Sequence, residues 1–517
     1  MQLTQANPLV FSGPTVSYRT TRIPPTGRKR LLLATAVCLV IYGAILAISS
    51  SVLHWFAIPV FACGVICCRD GFSAFGRGHR SPFEPLPILG FFGLYFFFVA
   101  PLLHVARDYW FTSSVSAPLE RPEDWRPWLG WMGVVNLSGL LLYKACHQGF
   151  AFLFARRRGN AVREVNPPAM RFWGIIFLSV AALLQVYIYA AFGGIGSFLD
   201  AYDATVQGKA NAFQGMGWIM CLGESFPILL LIVWSSVFPI RRPVSLFRLS
   251  AILVALFGLI LVFGGLRGSR GNTVFAALFA LAIVHLRLRR VTWRLLAVCG
   301  LALLIFMYAY GFYKVNRYTF LEAVFSPDYR SSIEAKTGRS LDAVLLGDLD
   351  RADIQAYLLM RMTQDDSVAY AYGQTYFDSA VSFVPYSILP YRPPGKLKFG
   401  TEVQFGNGSY SPGRLAATKI YGAVGEFMLN FGPWAGSLAF VFVAAITGYL
   451  QSLIRSLTPR DAMHYLVPIL SIGCVVAISS DFDNILYLLL RQALMPALLI
   501  WLGSSSRRVG ARTAPPR

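Results

Sequence analysis

The chain has 517 residues, 56% of them hydrophobic and only 14% charged. A water-soluble fold of this length cannot bury so much apolar surface, so lipid must cover the remainder. The net charge of +21 is spread over many short segments without a basic soluble patch, which sets nucleic-acid partners aside and leaves membrane lipids as the expected surroundings.

Residues 1–30 are polar and basic and precede an apolar run at 31–50, long enough to stay in the bilayer as a signal anchor. Further runs of spanning length follow at 51–68, 86–105, 128–147, 172–192, 217–239, 248–266, 272–287 and 293–313, so that 31–313 forms a first membrane block. The run at 51–68 has almost no loop before it, and that at 272–287 is short. A long insertion occupies 314–432, a second membrane block with spans at 433–453, 462–480 and 484–502 occupies 433–502, and a polar tail fills 503–517. Only closed helices satisfy their own backbone in hydrocarbon, so the sequence predicts an all-α polytopic bundle of about twelve spans with a large, partly helical outer loop.

The basic residues set the expected orientation. Arg28, Lys29 and Arg30, then Arg69, Arg77 and Arg80, Arg156 to Arg158, Arg241 and Arg242, Arg287 to Arg290 and Arg507 and Arg508 fall on one side, where short Lys/Arg-rich loops resist translocation. Both termini are therefore expected in the cytoplasm and 314–432 outside. The eight cysteines lie in or at the edges of spans and read as small packing residues rather than a disulfide framework.

Between the seventh and eighth runs the chain reads Gly264-Gly265-Leu266-Arg267-Gly268-Ser269-Arg270-Gly271-Asn272. Glycine admits close approach of a ligand, Arg267 and Arg270 offer forked donors matched to phosphate oxygens, and the following helix aims its N-terminal N–H groups at the same place. The alternative is that both arginines snorkel to the interface. The insertion gathers acid around an arginine in Gly347-Asp348-Leu349-Asp350-Arg351-Ala352-Asp353, and its stretch Gly406 to Arg414 is turn-forming and able to receive an anion on backbone N–H groups.

Asp481 and Asp483 occupy the turn before the last span, and Arg491 lies two turns inside it, where it must face protein or a wet cavity. Arg491 either pairs with one of those aspartates or meets substrate. The Asp-x-Asp pair matches a divalent-metal motif only in two residues, so no metal or other cofactor is expected. Of the histidines, His54 and His104 stand near outer span ends without an obvious partner, leaving carboxylates such as Asp350, Asp353, Asp378, Glu402 and Glu426 as the candidate proton acceptors.

Four stretches carry a family likeness: Ser81-Pro-Phe-Glu-Pro-Leu86, Gly193-Gly-Ile-Gly-Ser-Phe198, Gly265-Leu-Arg-Gly-Ser-Arg-Gly271, and Tyr372-Gly-Gln-Thr-Tyr376 through Pro385 and Pro390 to Gly422-Ala-Val-Gly-Glu-Phe-Met-Leu-Asn-Phe-Gly432. With the span pattern and the late outer loop, the chain resembles the Wzy-type oligosaccharide repeat-unit polymerases of bacterial O-antigen and exopolysaccharide synthesis. The resemblance implies a GT-C-like bundle in the bacterial inner membrane that transfers a glycan from undecaprenyl diphosphate to a second lipid-linked repeat unit. A flippase and a chain-length regulator are the partners it implies. Under this reading Arg267, Arg270 and Arg351 hold the diphosphate, with Arg414 and Arg491 in support. Asp353 or Glu426 takes the acceptor proton, and Tyr372, Tyr376, Tyr386 and Tyr391 stack on sugars. A secondary transporter and an O-antigen ligase-type transferase are the rival readings.

Overall fold

A computed structural model describes residues 27–75, 81–110, 121–157, 161–206, 213, 216–237, 245–267, 270–338, 340–384, 388–389, 391–411, 419–458 and 461–508. Its long helices, in chain order, are α1 (Gly27–Ile48), α2 (Ala57–Ala74), α3 (Pro85–Ala106), α4 (Arg126–Arg156) and α5 (Pro167–Ala191). After the shorter α6 (Ile195–Val206) come α7 (Gly217–Val237), α8 (Leu246–Phe263), α9 (Arg270–Arg287) and α10 (Trp293–Val315).

The insertion contributes α11 (Phe320–Phe325), α12 (Pro327–Thr337), α13 (Ala352–Gln364), α14 (Gln374–Val381), α15 (Lys396–Phe405) and α16 (Gly422–Phe431). The bundle resumes with α17 (Pro433–Ser456), α18 (Ala462–Ser479) and α19 (Phe482–Leu502). The chain is thus a multi-pass α-helical membrane protein, with eleven helices among the described residues long and apolar enough to cross a bilayer.

The expected span at 272–287 is not one of the eleven. Helix α9 occupies it but begins and ends on arginine and carries Asn272 and His285, which lowers its hydropathy. It runs through the interior, with Ala276, Phe279 and every residue from Ala280 to His285 buried, so neighbouring helices supply the cover that lipid gives the others. The second span also starts later than expected, at Ala57, because a 3-10 turn at Ser50–Val52, capped by the Ser49 side chain, breaks the chain there.

Position in the bundle follows from burial. Protein covers 83% of α18 but only 17% of α1 and of α8, so α18 is the hub and α1 and α8 present their sides to lipid. Small residues permit the tightest approaches: a Cβ on Gly90 of α3 would strike the Gly71 nitrogen of α2, and one on Gly448 of α17 would press on Phe150 and Ala151 of α4.

At the end opposite the insertion, side-chain caps start the returning helices. Asn166 accepts from Ala169 N at 3.4 Å, Ser245 from Arg248 N at 3.3 Å and Thr292 from Leu295 N at 3.3 Å. Two short antiparallel strands close that end, β1 (Ala161–Val165) pairing with β2 (Ser504–Arg508) in the register Glu164 to Ser505 and Val165 to Ser504. Among the described residues π-helical turns occur at Tyr95–Val99 within α3, at Ala343–Asp348 ahead of α13 and at Leu490–Leu494 within α19. Each adds a residue to a helical turn, a device that accompanies functional positions.

Candidate functional site beneath the insertion

The acidic stretch before α13 is drawn down onto the bundle. Asp350 stands just ahead of α13, its Oδ2 accepting from Ala352 N at 2.7 Å, and the same oxygen lies 3.0 Å from His104 Nε2 near the end of α3. The other ring nitrogen of His104 sits 2.6 Å from the Tyr109 carbonyl oxygen. His104 is wholly enclosed and Asp350 nearly so. The histidine that seemed to lack a partner in the sequence therefore has one 246 residues away, and its contacts correct that expectation.

Asp353, in the first turn of α13, is 3% exposed. Its Oδ1 accepts from Ile354 N at 2.6 Å, while its Oδ2 has no hydrogen-bond partner among the described residues. Burial pushes its carboxyl above the usual carboxylate range and Asp350 pushes the same way, against the pull of His104 and Arg351. Lys419, also largely buried, has its ammonium pulled below its ordinary value by burial, with Asp353 opposing. Arg351 is half-buried and curls back on its own segment, donating to the carbonyls of Gly347 at 3.3 Å, Asp348 at 3.0 Å and Asp350.

Arg270 stands at the start of α9 and is 9% exposed. It forms an ion pair with Asp348 and donates to the Met307 carbonyl of α10 at 3.5 Å. Tyr310 and Tyr313 of α10 donate to the carbonyls of Gly265 and Leu266, the latter at 3.3 Å, and so fix the glycine turn that carries Arg267. Two shallow recesses of about 240 and 280 Å³ flank this turn and share Glu224 and Gly264. A Cβ at Gly264 would collide with the Glu224 carboxylate, so glycine is needed where that acid crosses.

A second cluster joins the insertion to the top of α19. Lys396 of α15 places its ammonium 2.7 Å from Asp481 and 3.0 Å from Asp483, the position that a cation bound by an Asp-x-Asp pair would take. Asp481 also accepts from Tyr421 N at 2.8 Å. Glu426 of α16 accepts from the Thr375 hydroxyl at 2.8 Å and from Phe482 N at 2.6 Å. Burial, with Asp481 adding to it, lifts the Glu426 carboxyl to about 7. Burial likewise raises Asp481, against the attraction of Lys396, and the two aspartates hold Lys396 above its ordinary value in spite of burial. Asn430 donates to Thr375 Oγ1 at 2.7 Å and accepts from Gly373 N at 2.8 Å. The Tyr372–Tyr376 and Gly422–Gly432 stretches singled out in the sequence are thus neighbours in space, and Tyr372 itself adopts a left-handed backbone (φ 47°) at their junction.

The remaining expected site residues divide. Arg491 does not pair with Asp481 or Asp483: it lies in the π-turn of α19, its Nε 2.7 Å from Glu224 Oε2. The two aspartates are already held by Lys396, and Glu224 interrupts α7 at the same depth as Arg491. Tyr376 packs its ring among Phe427, Phe431 and Phe482, which removes the face a sugar would need. Tyr372 and Tyr391 are open, at 74% and 92% exposed. Arg267 is placed by its backbone alone, and Arg414 and Tyr386 lie outside the described residues.

His104, Lys396 and Glu224 were not anticipated. For Glu224 a signal was present, an acid amid an apolar run; for Lys396 and His104 no local spacing announces a partner so distant. Comparison with protein-family models, with curated proteins and with solved structures finds no match to this chain.

Proposed function

We propose that the protein is a GT-C-like membrane glycosyltransferase of the bacterial inner membrane, with both termini cytoplasmic. It polymerises oligosaccharide repeat units carried on undecaprenyl diphosphate. The observation that carries this reading is Asp353: a buried carboxyl with one oxygen that meets no hydrogen-bond partner among the described residues, raised by its surroundings and set beside cationic groups at one rim of a lipid-embedded bundle. A carboxylate so placed suits the removal of a proton from a sugar hydroxyl.

In the proposed reaction the acceptor hydroxyl oxygen bonds to the anomeric carbon of the donor glycan. The bond from that carbon to the diphosphate oxygen breaks, its electron pair leaving with undecaprenyl diphosphate, and the hydroxyl proton passes to Asp353. Arg267 and Arg270 receive the growing phosphate charge, the diphosphate competing with Asp348 for the Arg270 guanidinium. Tyr391, freely exposed, offers a stacking face for the glycan.

Buried pairs tie the insertion to the bundle, His104 with Asp350, Arg270 with Asp348 and Lys396 with Asp481, and this favours transfer beneath the insertion over transport. The test is reconstitution of the purified protein with lipid-linked repeat units. A ladder of products supports polymerisation, a single addition indicates a ligase, and no product sinks the reading. In the same assay Arg270→Ala should abolish chain growth at unchanged protein abundance.

A further inference from the structure

Both ring nitrogens of His104 face oxygens that accept hydrogen bonds. One is the Tyr109 carbonyl, at 2.6 Å; the other is Asp350 Oδ2, at 3.0 Å, which already accepts from Ala352 N. A neutral imidazole carries one N–H, enough for only one of them, and an ionised carboxylate has no proton to give back. The contact between His104 Nε2 and Asp350 therefore requires one more proton than a neutral histidine and an ionised aspartate possess.

We infer that His104 and Asp350 hold a captive proton between them, and that His104 is the positioning residue that allows Asp353 to ionise at its buried place in the first turn of α13. The inference rests on the proposed base role of Asp353 but adds a group that role alone does not name.

The reasoning is electrostatic. Without that proton, Asp350 and Asp353 would be two buried negative charges three residues apart at one helix start, and one would have to stay neutral. With it, His104 and Asp350 together are neutral, and Asp353 is the acid left to exchange protons with substrate. The groups facing this unit are Tyr109 behind the imidazole, Arg351 and Asp353 from the start of α13, Tyr95 of α3 on the Asp350 side and Lys419 from the segment before α16. Arg351 also pulls on Asp353, but its hydrogen bonds go to carbonyls of its own turn and its effect on Asp353 ranks below that of His104, while burial works against the Lys419 ammonium. His104 touches no reacting atom: its effect passes through Asp350 and the field at Asp353.

The decisive measurement uses the full-length protein in lipid with ¹⁵N-labelled histidine, the His104 signals being assigned by their loss in His104→Gln. Solid-state NMR at pH 7.5 should show both His104 nitrogens protonated, and Asp350→Asn should convert the ring to a neutral tautomer. A bare ring nitrogen in the unaltered protein overturns the inference. The second arm is the pH profile of chain growth. In His104→Gln the acid limb should move to higher pH, because Asp353 loses its neighbouring positive charge. A uniform fall in rate with the limb unmoved marks a purely structural histidine and also overturns it. If the unaltered protein makes no polymer, the glycosyltransferase reading fails while the NMR arm still decides the proton.

Discussion

The two ends of the bundle bury polar side chains in different ways. At the end that carries β1 and β2, several buried polar groups are satisfied within a few residues: Glu84 accepts from Ser81 N at 3.0 Å, Asp461 from Met463 N at 2.9 Å and His285 Nδ1 from Val291 N at 3.1 Å, while His464 Nε2 donates to the Thr458 carbonyl at 2.9 Å. Each closes its own turn. The longer links there, Lys144 with Asp70 and Arg163 with the Trp501 carbonyl, are less deeply buried. Beneath the insertion the pairs join segments far apart in the chain: His104 with Asp350, Arg270 with Asp348, Lys396 with Asp481, Arg491 with Glu224. Local caps stabilise connections that the membrane already forces into place. Deeply buried distant pairs carry a desolvation cost with no such local return, and the most enclosed of them, His104 with Asp350, Lys396 with Asp481 and Arg491 with Glu224, mark where the fold has been specified for something besides stability.

This contrast can be broken by substitution, beginning with the greatest effect. Asp353→Asn keeps the shape of the side chain and removes its basicity, so chain growth should fall by about 100-fold or more with little change in thermal unfolding. An active Asp353→Asn protein would remove the site from this place. Lys396→Ala leaves Asp481 and Asp483 without their counter-ion and should destabilise the protein by about 3–5 kcal/mol in detergent unfolding. Adding Asp481→Asn should recover part of that loss, since the two changes share one interaction.

Glu426 sharpens the comparison through pH. Its folded-state value is raised to about 7, so the stability of its neutral form is complete below the ordinary glutamate range and is lost as pH rises through 7. The melting temperature of the unaltered protein should therefore fall between pH 5 and pH 8 more steeply than that of Glu426→Gln; equal slopes would show that the carboxyl is already ionised throughout. At the far end, Thr292→Ala removes only the cap of α10 and should cost about 1 kcal/mol, with chain growth unchanged.

Much of the scaffold was legible because hydrophobic run length is nearly a direct measurement of a membrane helix. The runs at 86–105, 172–192 and 293–313 sit within a few residues of α3, α5 and α10. Two runs differ from expectation: the serine triplet at 49–51 delayed α2, and the run at 272–287, read as a span, is a helix with arginine ends that protein surrounds.

The site was legible only in part. Arg270, Asp353 and Glu426 announced themselves as charges in turns or acidic clusters and are indeed buried at one end. Their partners did not, because an ion pair between residues 246 apart leaves no periodicity in the sequence. Arg491 shows the same limit. Proximity along the chain suggested Asp481 or Asp483 if not substrate, while the fold supplied Glu224 from across the bundle.

The small sheet of β1 and β2 has a consequence for how the molecule is made. One strand lies between α4 and α5 and waits through most of translation; the other emerges only after α19. The earlier helices therefore enter the bilayer before β1 can meet its partner, and the pairing that fastens this end forms only once α19 has been made. Removing residues 504–508 should leave insertion of every helix intact but slow the final tightening, so that newly made chains stay open to protease at that rim for longer.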